Sequence, residues 1–267
     1  MQFLILLILS FKLNPIAIFF TDKKPAETFQ AQKGVRICAA SMLVAAATRN
    51  VVSAFDEDTY GCAGGGVGLC FGNGFKKKKH PTEALLSRGD EVLHQQGMSI
   101  GRSLGKGERF FDSPELVRKW ADAVPYTETP QKYVVFKPLH MVEEGETPDL
   151  VFIFANPDQL SVLVVLSGYY RGKALNVVAP FASACQSILL AYQEIGKDFP
   201  NAIMGYFDIS QRCNIPKELL SLTVPYKMFQ EIERGAVDGC METPAWERIQ
   251  NRFSEENIES LQNPCKN

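Results

Sequence analysis

Apolar runs of strand length alternate with helix-like segments in the second half of the chain, and this order most constrains the fold. The runs cover residues 150–155, 174–179 and 202–207. After the first run, Asn156 and Pro157 provide an N-cap and a proline at the first helical position, which predicts a helix from Pro157 to Tyr169. Apolar spacing predicts a second helix from Ser183 to Glu194. This alternation predicts βαβ units and a substantially parallel sheet.

The same signals predict elements elsewhere in the chain. Strands are expected near residues 15–20, 133–137 and 220–224, and helices near residues 39–48, 114–120, 226–233 and after Pro244. No linker rich in Pro, Gly or Ser divides the chain, and 46% hydrophobic with 22% charged residues is typical of a globular core. We therefore expect one α/β domain over residues 1–267, with a largely parallel or mixed sheet and helices on both faces.

The charge balance excludes a general affinity for polyanions. With 28 basic and 30 acidic residues the net charge is -2, so we expect no nucleic-acid partner. The apolar opening from Met1 to Phe11 has no preceding Lys or Arg and no small-x-small cleavage site. Lys12 also interrupts it before about 18 apolar residues accumulate. We expect this segment to be a buried first element, and we expect no stable membrane insertion.

Seven cysteines, an odd number, fit free or metal-bound thiols better than a secreted disulfide framework, and this favours the cytoplasm. Cys38 precedes a predicted helix, Cys185 lies in the first turn of another, and Cys62 lies in a glycine-rich stretch. Helix N-termini and free backbone amides stabilise a thiolate, so these three are candidate metal ligands. Their spacing matches no compact metal motif, and any one of them also fits an inert buried residue.

The glycine-rich stretch covers residues 61–74 and has glycine at seven of its fourteen positions. We expect a loop whose free amides, at Gly64, Gly65 and Gly66, bind an anion or a cluster. It lacks the Gly-Lys-Ser/Thr ending of a phosphate loop. The alternative is a tight turn that needs glycine for steric reasons.

A polar segment follows the last of the three apolar runs. If the chain stays extended there, Asp208, Ser210 and Arg212 point to one side and offer an acceptor, a hydroxyl and a bidentate donor. Ligands of open α/β sheets bind at such strand ends, so Asp208 and Arg212 are candidate ligand-binding residues. The alternative is a surface ion pair of small energetic value.

Five segments together resemble domain-of-unknown-function family 169. They are Lys12–Ile18, Gly61–Leu69, Val134–Leu139, Asn156–Leu160 and Phe207–Arg212. The resemblance covers nearly the whole chain. It implies that Cys38, Cys62 and Cys185 occupy recurring positions of the family, but it implies no reaction, because the family's biochemistry is unassigned.

Three functions remain open from the sequence. The first is a zinc or iron–sulfur site held by the three candidate cysteines, with one position open to a substrate or a fourth ligand. The second is an enzyme that uses Cys62 or Cys185 as nucleophile, although none of the three histidines is recognisable as its base. The third is a protein that binds a small anionic ligand through the glycine stretch, Asp208 and Arg212.

Overall fold

The computed structural model describes residues 4–32, 35–77, 81–96, 104–181 and 184–250. Within these residues seven strands form one sheet in the order β2-β3-β1-β4-β7-β6-β5. The strands are β1 Ile16–Thr21, β2 Ser53–Phe55, β3 Tyr133–Pro138, β4 Leu150–Ala155, β5 Val177–Val178, β6 Ala202–Gly205 and β7 Leu220–Pro225.

Helices connect and cover these strands. They are α1 Leu4–Leu9, α2 Ala39–Arg49, α3 Ala63–Gly68, α4 Gly74–Lys77, α5 Thr82–Leu86, α6 Glu91–Gln95, α7 Pro114–Ala123, α8 Pro157–Gly168, α9 Gln186–Tyr192, α10 Ile209–Arg212, α11 Tyr226–Asp238 and α12 Pro244–Gln250. Short 3-10 turns lie at Leu139–Met141 and Cys240–Glu242. No helix in the described part of the chain is long and apolar enough to cross a membrane.

The sheet is mixed, which confirms the predicted fold class but corrects the expected pairing. Among the described strands only β5 and β6 pair in parallel, and the other five pairs are antiparallel. Strand β7 is antiparallel to both β4 and β6 and lies between them. The three strands of the alternating region therefore run in one direction, as predicted. A substantially parallel sheet is wrong because an antiparallel strand from later in the chain separates β4 from β6.

Helices pack on both faces of the sheet, as predicted. Strand β4 shows why, because its residues alternate between two buried clusters. Phe152 and Phe154 pack on the face covered by α2 and α9, while Val151 and Ile153 pack on the face covered by α8 and α11. All six residues of β4 are buried, so the strand reads in the sequence as a continuous apolar run.

Local signals predicted several helix starts. Asn156 and Gln159 form a capping box at the start of α8, where Pro157 occupies the first position. The first helix, α1, packs on α11 with Ile5 and Leu9 fully buried, as expected for a buried first element. The side-chain amide of Gln159 donates to the carbonyl of Leu9 at 2.8 Å. Residues 1–3 and 183, on which parts of two predictions fall, lie outside the described residues.

Candidate functional site

The three candidate cysteines occupy the same kind of position, each at the N-cap of a helix. Cys38 precedes α2, Cys62 precedes α3 and Cys185 precedes α9. A parallel bridge between Ile37 and Tyr60 brings the first two helix starts together, and the amide of Ile37 donates to the carbonyl of Thr59 at 3.1 Å. The chain segments before α2 and α3 therefore run side by side into their helices.

Helix α3 brings the third cysteine to the same place. The thiol of Cys185 donates to the carbonyl of Gly64 at 3.5 Å. A Cβ atom on Gly68 would lie 2.6 Å from the carbonyl oxygen of Cys185, so only glycine allows this approach. On the other side of α3, a Cβ atom on Gly66 would lie 2.5 Å from the ring of Tyr60. Glycine is required here for close packing.

The expectation of an open glycine loop is wrong, because Ala63–Gly68 form a buried helix. The amide of Gly66 donates to the carbonyl of Cys62 at 3.1 Å, and the amide of Gly65 donates to the sulfur of Cys62 at 3.3 Å. Two of the three amides expected to bind an anion, those of Gly65 and Gly66, are thus already used inside α3 or on its N-cap. Gly64, the remaining member of that set, lines the cavity described next.

A cavity of about 430 Å³ opens beside the start of α3. Cys38, Cys62 and Cys185 all line it. Its other principal lining side chains are four aromatic residues and three charged residues, namely Phe75, Phe110, Trp120, Phe181, Arg36, Glu108 and Asp208. The sequence analysis singled out the thiols and Asp208 but missed the aromatic residues, Arg36 and Glu108.

The four aromatic residues form one connected wall, named here the aromatic wall. Trp120 lies 5.5 Å from Phe75 and 5.8 Å from Phe181 between ring centroids, and Phe181 lies 5.7 Å from Phe110. Neighbouring rings are tilted or edge-on, with interplanar angles from 55° to 80°. The indole N–H of Trp120 donates to the carbonyl of Phe181 at 3.4 Å, which ties α7 to the segment before Cys185.

The polar segment after β6 is not extended, so the prediction that its side chains share one side is wrong. Asp208 is the N-cap of the short helix α10 and accepts from the amide of Ser210 at 3.0 Å and from its hydroxyl at 2.6 Å. Arg212 donates to the backbone carbonyls of Lys217, at 2.7 Å, and of Leu219. Asp208 lines the cavity. Arg212 is not among the lining residues, and its hydrogen bonds hold the loop that leads to β7.

Two of the three cavity thiols, Cys62 and Cys185, have a raised pKa and are neutral at pH 7. Burial raises the pKa of Cys62, and the charges of Cys38 and Asp208 raise it further, while the amides of Gly65 and Gly64 oppose this shift. Burial raises the pKa of Cys185 well above its ordinary value, again with Asp208 contributing. The site as it stands does not activate either sulfur as a nucleophile.

Three thiols are a ligand set that suits zinc or an iron–sulfur cluster. Within the described residues, however, no group of three or more His, Cys, Asp and Glu side chains is arranged to hold a metal ion. Burial raises the pKa of Cys62 and Cys185, so a metal bound there would have to displace their protons.

Tyr206 is a further residue at the site that the sequence analysis missed. It follows β6 with a left-handed backbone φ of 68°, an uncommon conformation for a residue with an aromatic side chain. Its side chain is 1% exposed, and its hydroxyl has no hydrogen-bond partner among the described residues. Burial raises the pKa of Tyr206, and Cys38, Cys185 and Asp208 lie close enough to raise it further. No sequence signal marks such a backbone conformation.

Comparison with known proteins gives one result. A family model described as DUF169, uncharacterised ArCR, matches residues 5–235. No curated protein and no solved structure matches the chain.

Proposed function

The chain belongs to the uncharacterised DUF169 family, and we propose that it binds a small organic molecule in the thiol-lined cavity. One observation carries this proposal. Cysteines from three separate segments line a single cavity together with the aromatic wall. Helix α3 is built with glycine where it meets Tyr60 and Cys185, so the packing that positions these thiols depends on the sequence of α3.

The size and lining of the cavity support a small organic ligand. A volume of about 430 Å³ lies within the range of about 300–1,000 Å³ that is usual for small-molecule sites. Aromatic and aliphatic groups with a few polar side chains are also the usual lining of such sites. The tilted rings of Phe75, Trp120 and Phe181 offer contact area at low entropic cost.

We propose that the main role of the thiols is to contact the ligand. The raised pKa of Cys62 keeps its thiol protonated at neutral pH, so a permanently activated nucleophile is less well supported. No histidine lines the cavity among the described residues, so none is in place there as a base.

The six described cysteines form no disulfide, which supports a reducing compartment such as the cytoplasm.

A second candidate function is a zinc or iron–sulfur site at Cys38, Cys62 and Cys185. Its support is the convergence of the three thiols on one cavity. It requires the side chains to move closer and to lose their protons when the metal binds. Anaerobic purification with elemental analysis and absorption spectroscopy tests it, with Cys213→Ser as the matched control for Cys62→Ser. Bound metal that is lost only in the Cys62 variant would support this second candidate over the first.

The leading proposal is tested by comparing two maleimides that differ in the group on nitrogen, a phenyl ring in N-phenylmaleimide and an ethyl group in N-ethylmaleimide. The rates of modification are measured by peptide mass spectrometry at Cys62 and at the exposed Cys213. We expect the ratio of the Cys62 rate to the Cys213 rate to rise about tenfold with the aromatic reagent, because the aromatic wall binds its ring before reaction. Equal ratios for the two reagents would contradict a ligand-binding cavity at Cys62.

A further inference from the structure

Among its described lining residues, the cavity has two acidic side chains and one basic side chain. Glu108 and Asp208 both line it, and neither has an ion-pair partner among the described residues. The carboxylate of Asp208 accepts hydrogen bonds from the amide and the hydroxyl of Ser210. Arg36 is the one basic residue of the described lining, and it is exposed.

Asp208 acts electrostatically on the neighbouring ionisable groups. Burial is the largest cause of the raised pKa of Cys62, Cys185 and Glu108, and the charge of Asp208 adds to it in each case. At the two cysteines the other cavity thiols contribute more than Asp208 does. The charge of Asp208 thus disfavours a second negative charge in the cavity. This negative charge would repel an anionic ligand and attract a cationic ligand.

The aromatic wall provides the second requirement for binding a cation. Aromatic faces attract cations, and clusters of tilted rings are the usual recognition device for quaternary ammonium groups. Trp120, the most effective residue type for this contact, lies at the centre of the wall between Phe75 and Phe181. A small hydrated metal ion would gain little from such rings, whereas an alkylated ammonium group has apolar surface to bury against them.

We propose that the ligand is an organic cation whose ammonium group lies between the aromatic wall and the carboxylates of Glu108 and Asp208. This inference rests on the proposed function and names the ligand class for the same cavity. It departs from the anionic ligand expected from the sequence, because Arg212 and the amides of Gly65 and Gly66 are bound within the protein.

Three soluble probes of similar size test the inference. They are choline, its uncharged carbon isostere 3,3-dimethylbutan-1-ol, and the anion 3,3-dimethylbutanoate. The chain has two tryptophans, and Trp246 lies in α12, in the buried cluster on the sheet face covered by α8 and α11. In the Trp246→Phe variant the tryptophan fluorescence therefore comes from Trp120. We expect choline to change this fluorescence with an affinity about tenfold higher than that of the alcohol, and we expect the anion to bind most weakly.

Matched variants locate the charge. Asp208→Asn and Glu108→Gln should each weaken choline binding about fivefold and leave binding of the alcohol unchanged. Asp112→Asn is the control, because Asp112 belongs to the same segment as Glu108 but is exposed and pairs with Arg88. If the alcohol or the anion binds as tightly as choline, the cation inference is overturned and the cavity remains a binding site. If no probe binds at millimolar concentration and the two maleimides show equal ratios, the proposed function fails as well.

Discussion

Replacing Gly68 by alanine tests how α3 holds the cavity together. The added Cβ atom would lie 2.6 Å from the carbonyl oxygen of Cys185, 2.7 Å from its carbonyl carbon and 3.0 Å from its sulfur. Two of these atoms belong to the backbone, so they are not displaced by a rotamer change. Overpacking of this kind costs about 1–3 kcal/mol.

Gly65 provides the matched control within the same helix. A Cβ atom there would lie 3.6 Å from the sulfur of Cys62 and 3.8 Å from the Cβ of Tyr60, which are ordinary contacts. Gly65→Ala should therefore stabilise the protein by up to about 1 kcal/mol, because alanine has the higher helix propensity. The same propensity gain offsets about 1 kcal/mol of the clash at Gly68, which leaves a net loss of up to about 2 kcal/mol.

Urea unfolding followed by circular dichroism measures both free energies of unfolding, and Gly68→Ala should be less stable than Gly65→Ala by about 1–3 kcal/mol. Gly68→Ala should also displace Cys185 and lower the affinity for a cavity ligand. Equal stabilities for the two variants would refute the close packing of α3 on Cys185, since a helix free of this contact would gain from alanine at either position.

Three further predictions concern buried groups. Burial raises the pKa of Cys62, so its rate of alkylation by iodoacetamide should still increase with pH where the rate of an ordinary thiol has become constant. A pH–rate profile at the Cys62 peptide equal to that of an ordinary thiol would contradict this shift. Tyr206→Phe should raise the free energy of unfolding by about 1 kcal/mol, because it removes a buried hydroxyl that has no partner among the described residues. A lower free energy of unfolding in this variant would show that the hydroxyl is hydrogen-bonded. Burial raises the pKa of Glu233 to about 7, although the carboxylate accepts from the amide of Ile5 at 3.2 Å. The folded state then holds this proton more tightly than the unfolded state, so stability should fall as pH rises toward 7, and Glu233→Gln should remove that slope.

The elements that the sequence predicted best are those with local signals. The helix α8 begins where Asn156 and Pro157 indicated, because a cap and a first-turn proline act on their own backbone. The order of the strands was predicted less well. Strand β7 lies between β4 and β6, and no periodicity within β7 indicates which strands it pairs with.

Helix α3 shows tertiary packing overriding local preference. Four of its six residues are glycine, which has low helix propensity, and the sequence therefore predicted a loop. The helix forms because Gly66 and Gly68 allow Tyr60 and Cys185 to approach closely and because all six residues are buried. The alternative expected for this stretch, a tight turn, does not form either, but its premise that glycine is needed for steric reasons holds at Gly66 and Gly68.

The candidate site was predicted in part. Cys38 was predicted directly before α2 and lies there, at its N-cap. Cys185 was predicted in the first turn of its helix but is the N-cap, because α9 begins at Gln186. All three thiols line the same cavity. The aromatic wall was missed because its four residues share no spacing. Phe75 lies in α4 and Trp120 in α7, whereas Phe110 and Phe181 lie in irregular segments. Its members are brought together only by tertiary contacts, which the sequence pattern does not encode.

Cross-linking tests most directly the claim that separate segments bring their thiols to one cavity. Dibromobimane, a short reagent with two thiol-reactive arms, is added to the folded protein, and the products are identified by peptide mass spectrometry. The structure predicts a cross-link between Cys38 and Cys62, because the segments before them pair through Ile37 and Tyr60 and both line the cavity. Single adducts at each cysteine, or cross-links from either one to the exposed Cys213 instead, would contradict the shared site.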